Sequence, residues 1–377
     1  MLNAGRWGLA IVASIGAVGL VEVGARLGVV GVPDMADLVE YWAAGVVFLA
    51  GDSPYDPVAL LAAERAGGWT DAEPLIMYNP PWTLPWVLPL AALHPAAARL
   101  AWALFGVGAI GFAAERTWVA AGGDPQDAPI AVTWALLFSP SILCLSLGQI
   151  GPLVLLGLVG WVGATRAGRP LLAGAALSIA AVKPHLLALV WVLVAVRALA
   201  ARSFVEPLAL ASALAAALGA VVAARPTLVR EFLSVVQAHG PEVWKTPTLG
   251  GLLRIWLGEE HFGLQFAPVA LAVPPFAAWV WARRDRPVEA LLAPTLLASV
   301  VTAAYGWTFD QVVLVIPAVV AAARLRRYGA VALGAWGTLN IALILLRVVF
   351  PLDHLWAWLA PLWAALWWWT SRDGADR

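Results

Sequence analysis

Apolar runs of about 20 residues recur along nearly the whole chain, separated by arginine clusters, prolines and glycines. A helix of that length crosses roughly 30 Å of hydrocarbon, and lipid offers backbone groups no partner outside their own helix. The pattern predicts apolar segments near 7–30, 95–115, 129–146, 149–165, 170–182, 184–198, 204–224, 265–282, 287–304, 310–323, 328–349 and 354–370. Segments 170–182 and 184–198 are short and meet at Lys183-Pro184, where proline ends a helix. That pair reads as a broken hairpin rather than two full spans. Met1 to Arg6 and the run from Trp7 resemble a signal peptide, but no small-residue cleavage site follows and the run continues to Val30. It reads as an uncleaved first span. The expected fold is an all-α polytopic membrane protein of about 10–12 transmembrane helices, forming a single integral membrane domain over residues 1–377.

Two long polar stretches interrupt the pattern, residues 31–94 and 225–264. Within the first, Leu38, Tyr41, Trp42, Val46 and Leu49 recur at helical spacing, predicting a helix that lies in the membrane interface. Residues 226–239 and 248–257 carry weaker versions of the same pattern. Composition agrees with a membrane class: 62% hydrophobic and 12% charged residues, against about 25% charged in soluble domains. The formal net charge is zero, so no basic face suggests nucleic acid. One cysteine, Cys144, allows no intrachain disulfide and no thiolate metal cluster. The 22 tryptophans, several in the run from Trp356 to Trp369, suit an interfacial belt.

Arginines settle the expected orientation. Arg166, Arg169, Arg197, Arg202, the group Arg283-Arg284-Arg286, the group Arg324-Arg326-Arg327, Arg372 and Arg377 fall on one side of the map. By the positive-inside rule that side is cytoplasmic, with both termini inside. The opposite, extracytoplasmic face receives both long loops, the Gly148-Gln149 turn, the Lys183 break and the Tyr305–Asp310 turn.

Candidate chemistry gathers on that outer face. Asp34, Asp37, Glu40, Asp52 and Asp56 make residues 32–57 an acidic island. Asp34 suits a helix N-cap and Asp37 a first turn, where the helix dipole favours carboxylates. Asp37 also shares a face with Glu40 and Tyr41, and a carboxylate beside aromatics at the lipid–water boundary can act as a general base. Lys183 sits in an apolar stretch, where a charge is costly and marks function, or else snorkels to the headgroups. With His185 beside it and Pro184 freeing backbone groups, it suits a phosphate. Gln149 and Asp310 stand at outer turns, where a polar turn residue and a helix cap explain them equally well. Tyr78-Asn79-Pro80-Pro81-Trp82 forms a rigid aromatic approach to the membrane. Arg225, Arg230, Lys245 and Arg254 place positive charge outside, against the bias, for anionic lipid or a phosphorylated substrate. No P-loop, HExxH, CxxC or GxSxG motif occurs.

The ordered set Asp37–Tyr41, Gly51-Asp52-Ser53-Pro54-Tyr55-Asp56-Pro57, Tyr78–Trp82, Gly148-Gln149, Leu172–Gly174 leading to Lys183-Pro184, and Trp307–Asp310 resembles glycosyltransferase family 87. The resemblance covers about residues 20–325. It implies a GT-C-like bundle and an inverting mannosyltransferase that uses a polyprenyl-phosphate sugar as donor, with no required metal or other cofactor. A glycolipid or cell-envelope glycan would be the acceptor, and the active site would face outward in the cell membrane. The family's acidic residue in the first outer loop maps onto Asp37, with Asp34 a competing carboxylate. Lys183, His185 and Arg254 are then candidates for the donor phosphate. Gln149, Tyr41, Tyr55, Tyr78, Asn79, Trp307 and Asp310 are candidates for the remaining substrate contacts. A multi-span transporter of solutes or lipid-linked glycans, and an envelope polysaccharide polymerase or ligase, stay open beside the transferase.

Overall fold

Proline placement sets many of the helix starts. In the computed structural model, which describes residues 35–239, 244–325 and 328–372, Pro57, Pro95 and Pro170 stand in the first turn of their helices. There the missing N–H would lack an intrahelical partner anyway. The expected first span 7–30 and Asp34 lie outside the described residues. The described residues form helices and 3₁₀ turns, with no strand among them. The first outer loop folds as α1 (Ala36–Leu49), α2 (Pro57–Ala66) and α3 (Leu84–Ala91). Then come α4 (Pro95–Ala120), α5 (Ala128–Leu136), α6 (Ser139–Leu147), α7 (Gly151–Arg166), α8 (Pro170–Ala180), α9 (Ala188–Ala201) and α10 (Val205–Ala224). The second outer loop contributes α11 (Leu228–His239) and α12 (Leu249–Leu257). Finally α13 (Ala267–Trp281), α14 (Val288–Thr302), α15 (Val315–Leu325), α16 (Gly329–Val349) and α17 (Leu359–Arg372) follow.

Among the described residues, six helical stretches are long and apolar enough to cross a membrane, and a seventh if the bent pair α5–α6 is counted as one span. Exposed apolar side chains such as Leu208 (63%), Leu271 (76%) and Val331 (78%) clothe them, as expected of a surface whose solvent is hydrocarbon. The expected multi-pass helical architecture is therefore present, though not every apolar segment is a full span. The 11 residues of α8 reach only about 17 Å at 1.5 Å per residue. Pro184–Ala201, by contrast, is long enough to cross, so the pair at Lys183 is a short helix joined to a full one and not two full spans.

The interfacial reading of α1 needs correction. Leu38, Tyr41 and Trp42 are buried in the protein core, and only Leu49 of the five expected interfacial residues is exposed. Gly45 lets α3 approach so closely that a Cβ there would sit 2.9 Å from the Ala91 methyl. The Trp42 indole donates to the Leu93 carbonyl at 3.0 Å. Burial on nearly all sides marks a core helix, not one lying on lipid.

The two outer loops are tied together. Glu231 on α11 accepts from Ser53 Oγ at 2.8 Å, Arg225 Nε at 2.7 Å and Thr227 Oγ1 at 2.6 Å, while Arg225 also donates to the Gly51 carbonyl at 2.8 Å. Burial pushes the Glu231 carboxyl up, but these donors outweigh it and hold the group down at about 2.

Helix breaks inside a membrane protein free backbone groups that must find partners. The bend of 67° between α5 and α6 frees the Ser139 N–H, and buried Asn340 on α16 accepts it at 2.7 Å. Asn340 Nδ2 donates in turn to the Trp336 carbonyl at 3.0 Å, beneath the stack of Trp336 on Trp134 and Phe138. Replacing Asn340 with Leu strands that N–H, an expected loss of about 1–3 kcal/mol. Thermal unfolding in detergent should show a clearly lowered Tm, and an unchanged Tm would mean the bend needs no such support.

Candidate active site

One set of helix ends encloses a cavity of about 620 Å³. Its polar wall is made where three helices begin or break. Gly148 closes α6 in the left-handed conformation, with φ +71°, the usual device for ending a helix. A side chain there would meet Leu38, its Cβ 2.7 Å from the Leu38 Cβ. The Gly148 carbonyl accepts from the Trp102 indole at 2.8 Å, so the turn that presents Gln149 is fixed from both sides. The second break is at Lys183-Pro184. Its carbonyls are taken by side chains distant in sequence: Ala181 by the Trp82 indole at 2.9 Å, Val182 by Asn79 Nδ2 at 3.1 Å, and Leu186 by Ser299 Oγ at 2.8 Å. The third is the 3₁₀ turn Thr308–Leu314, where Asp310 Oδ2 accepts the Trp307 N–H at 2.9 Å.

These three pieces hold one polar network. Lys183 Nζ donates to Asp310 Oδ1 at 2.5 Å and to Gln149 Oε1 at 2.6 Å. The Tyr41 hydroxyl donates to the same Gln149 oxygen at 3.1 Å. Gln149 Nε2 then donates to Asp37 Oδ2 at 2.5 Å. The second carboxylate oxygen of Asp37 accepts no hydrogen bond among the described residues. Burial raises the Asp37 carboxyl above its ordinary range, while the Gln149 bond and the Lys183 charge pull it back. Glu40, one turn along α1, has no hydrogen-bond partner among the described residues. Burial, then the Asp37 charge, raise it well above the usual carboxylate range.

Aromatic rings face this wall. His185 stacks on Tyr305 with centroids 4.2 Å apart. Trp244 meets Tyr78, Tyr305 and Trp307 edge-on, at 5.2, 5.6 and 4.8 Å. Phe309 lies under Lys183 Nζ, 5.0 Å from its ring centre. No group of three or more His, Cys, Asp or Glu placed to hold a metal ion occurs among the described residues.

The cavity thus brings together nine residues singled out in the sequence: Asp37, Tyr41, Tyr78, Asn79, Gln149, Lys183, His185, Trp307 and Asp310. Two others stand apart. Arg254 is buried but donates to Gln265 Oε1 and to the Glu259 carbonyl, both at 2.8 Å; it clamps the second outer loop and does not line the cavity. Tyr55 packs on Phe232, 5.5 Å between centroids, behind the cavity wall. Lys183 does not snorkel. It is only 6% exposed and paired inside the protein. Sequence reasoning passed over Trp244, Tyr305 and Glu73, which also line the cavity. Tyr305 was legible as part of its outer turn. Trp244 and Glu73 carried no periodic signal, because irregular loops bring them in.

The model of glycosyltransferase family 87 matches residues 77–305, more than half of the chain. It takes in Tyr78, Asn79, Gln149, Lys183 and His185, and stops short of Asp37 on one side and Asp310 on the other. No curated protein and no solved structure matches. The matched stretch is the one whose broken helix and aromatic residues build most of the cavity, and the chain belongs to glycosyltransferase family 87.

Proposed function

We propose that this membrane glycosyltransferase moves a hexose, with mannose as the expected sugar, from a polyprenyl-phosphate donor to a glycolipid or cell-envelope glycan on the extracytoplasmic face. Asp37 would act as general base and the anomeric centre would invert. The observation that carries this reading is the Asp37 carboxylate: one oxygen is held by Gln149 and the other is left open on a cavity wall that also bears Lys183. A sugar hydroxyl is a weak nucleophile and needs its proton removed as it attacks. The departing polyprenyl phosphate gains negative charge, which fixed donors stabilise without reorganising. An ammonium group has three N–H donors; Asp310 and Gln149 occupy two of those on Lys183, leaving one for a phosphate oxygen. The His185–Tyr305–Trp244–Trp307 rings offer flat apolar faces on which a sugar can lie. Membership of family 87 favours sugar transfer over solute transport. The polymerase or ligase alternative has no observation of its own in this cavity.

Asp37→Asn keeps the side chain's size but removes its basicity. Transfer from a labelled polyprenyl-phosphate sugar in proteoliposomes should fall by at least about 10²-fold, with Tm unchanged. Asp34→Asn should cost little, because the proposed reaction asks nothing of that carboxylate. An inactive Asp34→Asn beside an active Asp37→Asn would reverse the assignment.

The raised Asp37 carboxyl gives a signed pH dependence. A base works only unprotonated, so activity is complete at high pH and is lost as pH falls through the folded-state value, which lies above the ordinary aspartate value of about 4. Gln149→Met removes a hydrogen bond that lowers this value. The acid limb of kcat should therefore move to higher pH. A variant with a reduced rate but an unmoved limb would show that Gln149 does not position the base.

Orientation is open to labelling. Val58 is 80% exposed on α2, Ser203 is exposed after α9, and the native Cys144 is buried and silent. Val58→Cys should react with an impermeant thiol reagent on intact cells and Ser203→Cys only after lysis. The reverse pattern would place the Asp37 cavity in the cytoplasm.

A further inference from the structure

A second cavity, of about 670 Å³, lies at the opposite ends of the helices that build the first. Helix α7 leaves the Asp37 cavity beside Gln149 and ends at Arg166. The stretch Thr308–Leu325 leaves it at Asp310 and reaches Arg324, and α14 runs back from Glu289 toward Tyr305. The 16 residues of α7 span about 24 Å, which separates Gln149 at one cavity from Arg166 at the other by most of a membrane's thickness. The second one is amphiphilic. Its walls include Val159, Val162, Leu292 and Ile316, and its polar groups include Arg116, Arg166, Arg324 and Glu289.

The charges do not cancel. Glu289 pairs with Arg166, Oε1 to Nε at 3.6 Å. Arg324 lies over the Trp367 ring, 4.9 Å from its centre, which leaves its N–H donors available. Arg116 is exposed and has no hydrogen bond or ion pair among the described residues. Two guanidinium groups are therefore uncompensated at the mouth of an apolar pocket that opens between membrane helices. Basic pockets in that position suit phosphate headgroups, and bidentate guanidinium contacts suit phosphate oxygens. We propose that this cavity binds an anionic glycerophospholipid of the leaflet opposite the Asp37 cavity, its phosphate between Arg116 and Arg324 and an acyl chain along the apolar wall. Nothing in the transfer reaction calls for these residues, so the inference stands apart from the proposed function.

The test uses the full-length protein purified in a neutral detergent. Phosphatidylglycerol should raise its Tm by about 3 °C or more over phosphatidylcholine of the same chain length. Arg116→Gln/Arg324→Gln should lose most of that rise while matching wild type in phosphatidylcholine. The control Arg169→Gln/Arg202→Gln removes two exposed arginines from the same helix ends and should keep the rise. Native mass spectrometry, which does not depend on Tm, should show phosphatidylglycerol retained by wild type and the control but released by the first variant. Four results would overturn the proposal: an equal rise with phosphatidylcholine; a full rise in Arg116→Gln/Arg324→Gln; equal loss in the control, which would mean general surface charge; or the same rise from glycerol 3-phosphate alone, which would mean an ion site rather than a lipid site.

Discussion

The ion pair between Lys183 and Asp310 is the constraint around which the Asp37 cavity is arranged. Both side chains are almost wholly buried, 7% and 2% exposed, in a chain whose surroundings are largely hydrocarbon. Removing one partner from such a pair typically costs about 3–5 kcal/mol, because the other charge is left uncompensated. The two residues sit at two separate interruptions of helix, the Pro184 break and the 3₁₀ turn before α15. Bringing the charges together therefore fixes the relative position of both interruptions. Neither break would be stable alone, since each exposes backbone groups that lipid cannot satisfy. Trp82, Asn79 and Ser299 supply the missing partners at one break and Asp310 at the other. Irregular backbone is tolerated here because it lines a cavity rather than facing lipid.

Gln149 carries that fixed point to the reacting edge. Its carbonyl oxygen is held by Lys183 and Tyr41, which dictates that its amide nitrogen faces Asp37. A carboxylate in the first turn of a helix would otherwise be free to rotate about its side-chain bonds. Here its direction follows from a charge pair several residues deeper. The family match ends before both carboxylates that terminate this chain of contacts, so their assignment rests on geometry in this protein.

What could be read from the sequence was what has local or periodic expression. Apolar run lengths located the helices, and Lys183 stood out because a charge in an apolar run demands explanation. Its partner was not legible. Asp310 in its turn looked like a helix cap, and it does cap, but the second oxygen of the same carboxylate takes Lys183 from 127 residues away. The place of Arg254 was not legible for the converse reason: a cation in a polar loop carries no sign in sequence of whether it faces a cavity or, as here, Gln265 and the Glu259 carbonyl. The pattern of α1 was correctly helical, yet the same spacing serves an interfacial helix and one buried against α3. Only the close approach at Gly45 distinguishes them. The helix α2 escaped for lack of a length signal, because its 10 residues lie inside a polar stretch with no apolar run to mark them.

Asp37 and Glu40 show how one helical face can hold two carboxylates in different states. Burial raises both, so desolvation cannot be what separates them. The difference lies in partners. Asp37 accepts a short hydrogen bond from Gln149, which favours its ionised form, while the Lys183 charge acts on both carboxylates. Glu40 has no such donor, and the ionised Asp37 beside it opposes a second negative charge. In the proposed reaction the first is poised to take a proton. A single turn of helix separates the two carboxylates, and Gln149, next to the glycine that closes α6, supplies the hydrogen bond that one has and the other lacks.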